Sequence, residues 1–289
     1  MRDQILQLPD GRMLAWAEAG DLDGRPLLRS PGTPGSRLSL RVDEAPWLDR
    51  RLRVINTERP GYGASSPHPA GTFAGHADDL AHLLDHLEIE RLPAVGGSGG
   101  APYVLALASR HPDRVQAATV VVGAAPVEAA EVEMMISVNA EAHRLASAGD
   151  RDGLSALLAP IREAMLEDPL ASIRAQMETA PPEDHAIMGE PLWQEGFARG
   201  VREAFRPGLD GWVDESMLLV NGWSALRVED VRASLTWWHG DSDRNSPLSA
   251  VRRLVSRIPA ARLEVWPEAG HLTAYREEPR ILDELLARA

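Results

Sequence analysis

Short apolar runs alternate along this chain with longer stretches in which apolar residues recur at helical spacing. Met13–Ala19 reads as an early strand after a Pro9-Asp10-Gly11 turn, and Pro26–Arg29 as a short second one. Arg53–Asn56, Leu92–Val95, Ala117–Val122, Leu235–His239 and Arg262–Trp266 read as further strands. Between them, Arg37–Leu48 reads as a helix, and Phe73–Leu87 places Leu80, Leu83, Leu84 and Leu87 on one helical face. Helices are also expected from Val104 onward, over Ser249–Arg257 and over Pro279–Arg288. Ala117–Val122 is apolar on both faces, as in a parallel sheet covered on both sides. Strands that alternate with helices in this way predict an α/β fold with a mostly parallel, doubly wound sheet.

The rhythm changes between Pro126 and Val231, where no strand pattern stands out. Glu131–Ala148, Leu154–Leu166 and Pro191–Phe205 read as helices separated by Gly-Asp, Asp-Pro and Pro-Pro breaks. The expected organisation is a core of residues 1–125 and 232–289, with residues 126–231 inserted as a helical cap over the C-terminal edge of the sheet. Met134, Met135, Met165, Met177, Met188 and Met217 fall in the insertion, with Trp193, Trp212 and Trp223. Methionines adapt to ligands, but most of these are expected to pack the insertion against the core.

Composition narrows the function. The 289 residues include no cysteine, which excludes disulfides, a thiol nucleophile and thiolate metal sites. The net charge of −13 repels nucleic acid and anionic membrane, so a small-molecule substrate, and a neutral one, is the expected partner. No stretch approaches the roughly 18 apolar residues of a membrane span. Met1-Arg2-Asp3-Gln4 lacks the basic-then-apolar layout of a signal peptide, making the cytoplasm the expected compartment. Oligomeric state is not legible. No metal motif stands out, and no cofactor is expected. His82 and His86 are spaced for zinc, but Asp78, Asp79 and Asp85 around them make a solvated polar face the better reading.

The chemistry concentrates where Leu92-Pro93-Ala94-Val95 meets Gly96-Gly97-Ser98-Gly99-Gly100. This fits G-x-S-x-G, a sharp turn between strand and helix that presents its serine in a strained conformation. Small flanking residues permit the close approach of neighbouring backbone, and the Gly99 N–H falls at a helix start, where a developing oxyanion is favoured. A plain glycine-rich turn has the same composition. Neither a phosphate-binding G-x-x-x-x-G-K-[ST] nor G-x-G-x-x-G is present, since Pro102 stands where the third small residue belongs.

Ligands of open parallel sheets bind beyond the carboxyl ends of the strands. Four groups are expected there, each in a loop directly after a strand: Ser98, the Gly32-Thr33 loop, Asp243 and His271. Five stretches, in order, are Pro31-Gly32-Thr33-Pro34-Gly35-Ser36, Glu58-Arg59-Pro60-Gly61-Tyr62-Gly63, the serine turn, His239-Gly240-Asp241-Ser242-Asp243 and Gly270-His271. Through them the chain resembles the α/β-hydrolase-fold proteins over nearly its whole length. The resemblance implies a Ser98–His271–Asp243 triad, an oxyanion hole and a helical cap. It selects Asp243 over Asp241, which then reads as a turn former. It also matches Thr33 to the position whose amide pairs with that of Gly99. The chain departs from the family in having Pro31-Gly32 where His-Gly is usual, and Glu58 where Asp is usual; Glu58 reads as a loop anchor.

In chemical terms, His271 would take the Ser98 proton and return it to the leaving group, with Asp243 fixing the imidazole. Gly32, Gly97 and Tyr103 are the expected substrate contacts, and His239, Trp237 and Trp238 are expected to be structural. The expected activity is that of a cofactor-free serine hydrolase acting on an ester, lactone or related acyl compound. The alternatives are the same fold with altered chemistry (peptidase, lyase, cyclase or perhydrolase) and a ligand-binding protein without catalysis. Ser98 at the turn excludes an aspartate nucleophile.

Overall fold

In the computed structural model, which describes residues 1–68 and 70–289, eight strands form one sheet in the order β1-β2-β4-β3-β5-β6-β7-β8. They are β1 (Arg2–Gln7), β2 (Met13–Gly20), β3 (Arg25–Ser30), β4 (Leu52–Thr57), β5 (Leu92–Gly97), β6 (Val115–Val121), β7 (Ser234–Gly240) and β8 (Ala261–Trp266). β2 runs antiparallel to β1 and β4, and every pairing from β4 to β8 is parallel. The central strands are buried on both faces, whereas β1 is an edge strand with Ile5 exposed. Its polar start, Arg2-Asp3-Gln4, hides it from an apolar-pattern reading, and it was not among the expected strands.

Two layers of helices cover the sheet. α2 (Phe73–His86) and α3 (Ala101–Arg110) bury Leu80, Leu83, Leu84, Val104 and Leu107 with Leu28, Val120 and Trp237 on one face. Thr72 caps α2 by accepting the Gly75 N–H at 3.0 Å. α11 (Leu248–Val255) completes that layer. On the other face, α1 (Ala45–Leu48) and α12 (Ala274–Leu286) pack Trp47, Leu282 and Leu285 against Leu27, Val54 and Ala117. Trp237 and Trp238, adjacent on β7, belong to opposite cores, as strand alternation requires.

Two expected helices have different bounds. Of Arg37–Leu48, only Ala45–Leu48 is helical. The carbonyls that an earlier start would need are taken by side chains. Asn56 Nδ2 donates to Arg37 O, Arg29 Nη1 to Ser39 O and Arg199 Nη2 to Leu40 O, at 2.7–2.8 Å. The Arg37 N–H itself donates to Glu58 at 3.1 Å. At the C-terminus, α12 begins at Ala274 and carries Pro279 in its interior instead of starting there.

Between β6 and β7 the chain forms α4 (Ala129–Val132), α5 (Ser137–Ser147), α6 (Arg151–Glu167), α7 (Pro169–Gln176), α8 (Pro182–Met188), α9 (Pro191–Ala204) and α10 (Asp210–Asn221). The expected single helix Glu131–Ala148 is two, α4 and α5, separated at Glu133–Ile136. These helices share their own core of Leu154, Leu158, Phe205 and Trp212, which also takes in Tyr62.

Candidate active site

Ser98 follows β5 directly, with φ 48° in the left-handed region, and a single 3₁₀ turn then leads into α3. A side chain at Gly96 would lie 2.9 Å from Gly100 O and 3.0 Å from Ala101 Cα, so the turn closes only on small residues. Holding a non-glycine residue in this region costs roughly 1–3 kcal/mol and is a recurrent property of functional turns.

The structure brings Ser98, His271 and Asp243 together across 173 positions of sequence. Ser98 Oγ lies 2.9 Å from His271 Nε2, and His271 Nδ1 lies 2.7 Å from Asp243 Oδ2. Asp243 Oδ1 accepts the Asn245 and Ser246 N–H groups at 2.8 and 3.3 Å. Burial opposes the Asp243 charge, but His271, then His239 and the Asn245 amide, outweigh it and hold the carboxyl below its ordinary range. Burial likewise works against an imidazolium at His271. Attraction to Asp243, and secondarily to Asp184, outweighs it and raises the His271 pKa. The rival carboxylate Asp241 accepts the Glu268 N–H at 2.8 Å and serves the turn. His239 Nε2 lies 2.8 Å from Ser246 O, a buried structural contact.

The Gly32-Thr33 loop lies against the serine turn. A Cβ placed on Gly32 would be 3.6 Å from Ser98 Oγ, and one placed on Gly99 would be 3.3 Å from Thr33 N. The loop is held from behind by Arg59, which is fully buried. Its guanidinium donates to Pro31 O and, at 2.8 Å, to Gly32 O, and pairs with Glu215 of α10. The Thr33 and Tyr62 hydroxyls each donate to Glu215 Oε2 at 2.7 Å. Burial weighs against the Arg59 charge, yet Glu215 more than restores it. Arg59 also lies over the Tyr62 and Tyr103 rings, 5.4 Å from each centroid.

A second carboxylate from the inter-strand helices reaches the other side of the site. Asp184 of α8 accepts the His271 and Leu272 N–H groups at 2.9 Å each. It fixes the loop that carries the imidazole, and burial raises its pKa.

A cavity of about 480 Å³ opens at Ser98, and Gly32, Thr33, Gly97, Gly99 and His271 line it. Met135, Met165, Met177, Trp193 and Trp212 form part of its walls, whereas Trp223 packs in the sheet core. Tyr103 is corrected: it is buried in the Phe73–His76 aromatic cluster beneath Arg59, away from the cavity walls. Glu58 is an anchor. It is fully buried and accepts from Arg37 and from the Ala64 N–H at 2.7 Å. His82 and His86 are both exposed, and among the described residues no His/Asp/Glu cluster could hold a metal ion. Among the described residues, no helix is long and apolar enough to cross a membrane. Sequence reading missed Glu215 and Asp184. Each comes from a helix with no motif of its own, and only the fold brings them to the site.

Residues 25–277 match the family model for the alpha/beta hydrolase fold. The chain belongs to that family. It is 28% identical to a 2-hydroxy-6-oxo-2,4-heptadienoate hydrolase of Pseudomonas putida, a match covering 84% of this chain and 81% of the relative. It is also 28% identical to a probable proline iminopeptidase of Streptomyces coelicolor, covering 92% of this chain and 88% of the relative. Among solved structures, an esterase from Exiguobacterium antarcticum superposes with a TM-score of 0.68 at 18% identity, covering 99% of this chain and 98% of the other. These three are named for different activities: a heptadienoate hydrolase, an iminopeptidase and an esterase.

Proposed function

We propose that this α/β hydrolase is a cofactor-free serine hydrolase that cleaves a small ester, lactone or related acyl substrate through an acyl-Ser98 intermediate. The observation that carries the reading is the unbroken hydrogen-bond line Ser98–His271–Asp243 at the mouth of a largely apolar cavity. A serine hydroxyl is a weak nucleophile at neutral pH, and a base within hydrogen-bond reach is what activates it.

In this reading His271 Nε2 takes the Ser98 proton as Oγ attacks the substrate carbonyl. The Thr33 and Gly99 amides receive the oxyanion, worth roughly 10²–10³-fold in rate for each donor. His271 then protonates the leaving group, and water returns by the same route to release the acid. Asp243 holds the imidazole tautomer and balances the imidazolium. Residues 126–231 act as the cap, since their methionines and tryptophans shape the walls around the acyl group. The relatives named as a 2-hydroxy-6-oxo-2,4-heptadienoate hydrolase and a probable proline iminopeptidase support hydrolysis as the reaction class over any one leaving group.

The test is to trap the intermediate. Intact-mass spectra after rapid quenching with p-nitrophenyl butyrate should show one butyryl adduct, located on Ser98 and missing from Ser98→Ala. Turnover at the wild-type rate by Ser98→Ala would overturn the mechanism.

A further inference from the structure

The cavity continues from Ser98 along the face of the sheet, beneath the irregular segment that replaces the expected helix. Ser39, Leu40 and Arg41 of that segment line it opposite Leu27, Arg29 and Val95. Among the described residues, three charged carboxylate or guanidinium side chains line the whole cavity: Arg29, Arg41 and Glu278. Glu278 is fully engaged, accepting from Arg41 Nη1 at 2.7 Å and from Trp47 Nε1 at 3.1 Å. That pair is neutral in sum.

Arg29 is left over. Its Nη1 donates to two neutral oxygens, Ser39 O at 2.7 Å and Asn56 Oδ1 at 3.3 Å. Among the described residues, Nε and Nη2 have no hydrogen-bond partner, and Arg29 forms no ion pair. Burial weighs against its charge; Glu278 offsets this at a distance and Arg41 adds repulsion. A guanidinium stays protonated regardless and presents a planar fork of donors suited to a carboxylate. Among the described residues, the cavity of a protein with net charge −13 therefore holds one guanidinium, Arg29, with no carboxylate paired to it.

We propose that Arg29 forms an anion-binding subsite, and that the natural substrate carries a carboxylate at the far end of an apolar acyl chain. This rests on the serine hydrolase reading above. Arg29 pairs in register with Val95, three residues before Ser98. At the rise of a β-strand that places the subsite about 10 Å below the nucleophile, the span of a medium-length chain. The inner arm suits the acyl part because the acyl group stays on Ser98 while the alcohol must leave past it.

The experiment compares p-nitrophenyl hemiesters of succinic, adipic and suberic acids with the same esters capped by a methyl group at the free carboxyl. Wild-type protein should favour the free carboxylate at the longer lengths, judged by the kcat/KM ratio within each pair. Arg29→Met should lower that ratio by about 10–100-fold, as for a lost hydrogen bond to a charged group, and Arg29→Lys should recover part of it. A ratio unchanged in Arg29→Met would overturn the subsite. Calorimetry with free suberate on the Ser98→Ala protein separates the two readings. Binding that disappears in Ser98→Ala/Arg29→Met supports the subsite even if no ester is turned over, in which case only the hydrolytic reading falls. Turnover of capped esters with no carboxylate preference and no suberate binding removes the subsite and leaves the hydrolase.

Discussion

Gly99 shows how little room the site leaves at a single position. A methyl group there would lie 2.8 Å from Thr33 Cβ as well as against its hydroxyl, so Gly99→Ala must push the Thr33 loop away. Because this displaces an amide assigned to the oxyanion, acylation of Ser98 should fall by roughly 10²–10³-fold. Circular dichroism should stay native, since the strain is confined to one loop; an unchanged acylation rate would remove Thr33 from the oxyanion hole. His271 supports a second prediction. It acts as a base only when neutral, and its pKa is raised by Asp243 and Asp184 over the opposing effect of burial. The rate should therefore climb with pH through a midpoint above the ordinary histidine value of about 6.5. Asp184→Asn removes one of the two attractions, so its midpoint should move to lower pH. A pH–rate profile reads this directly, and a midpoint that stays put or rises would count against the electrostatic role of Asp184.

At the scale of elements, the site depends on helices that touch no reacting atom. α10 delivers Glu215 to Arg59, and Arg59 holds the Pro31 and Gly32 carbonyls. Both partners are almost wholly buried, and leaving one of them unpaired typically costs about 3–5 kcal/mol. Arg59→Met should thus destabilise the fold by about that amount in urea unfolding and slow acylation as the loop loosens. The double variant Arg59→Met/Glu215→Leu should regain stability without regaining rate; recovery of both would show that the pair serves packing alone. The serine turn, the Gly32-Thr33 loop and the two loops bearing Asp243 and His271 were legible because each is a contiguous motif tied to a strand end. Glu215 and Asp184 were not, because a carboxylate within a helix reads as an ordinary polar face until its tertiary partners are known. The segment Arg37–Leu48 misled for a related reason. Its local pattern favours a helix, but Asn56, Arg199 and Arg29 claim its carbonyls from distant parts of the chain.

For the whole molecule, the net charge of −13 and the Arg29 guanidinium act over different ranges. The overall charge repels an anionic substrate at long range, where salt screens within a Debye length of about 10 Å at 0.1 M. Arg29 acts at contact inside a cavity and is screened much less. For the suberate hemiester, kcat/KM should rise as salt increases from low to moderate concentration, while the methyl-capped ester should show little change. A fall for the hemiester would mean that solvent-exposed cations, and not Arg29, attract it. The alternation of strands and helical patterns was enough to expect a mostly parallel sheet with a helical insertion. It could not reveal that Ser39, Leu40 and Arg41, where a helix was expected, instead line the cavity.

The most direct measurement is intact-mass spectrometry after exposure to a fluorophosphonate, which reports an activated serine without requiring the substrate. One adduct on Ser98, absent from Ser98→Ala and strongly diminished in His271→Ala, is the predicted result. Folded wild-type protein that takes up no adduct, or takes it up at another residue, would contradict the assignment of Ser98 as the nucleophile.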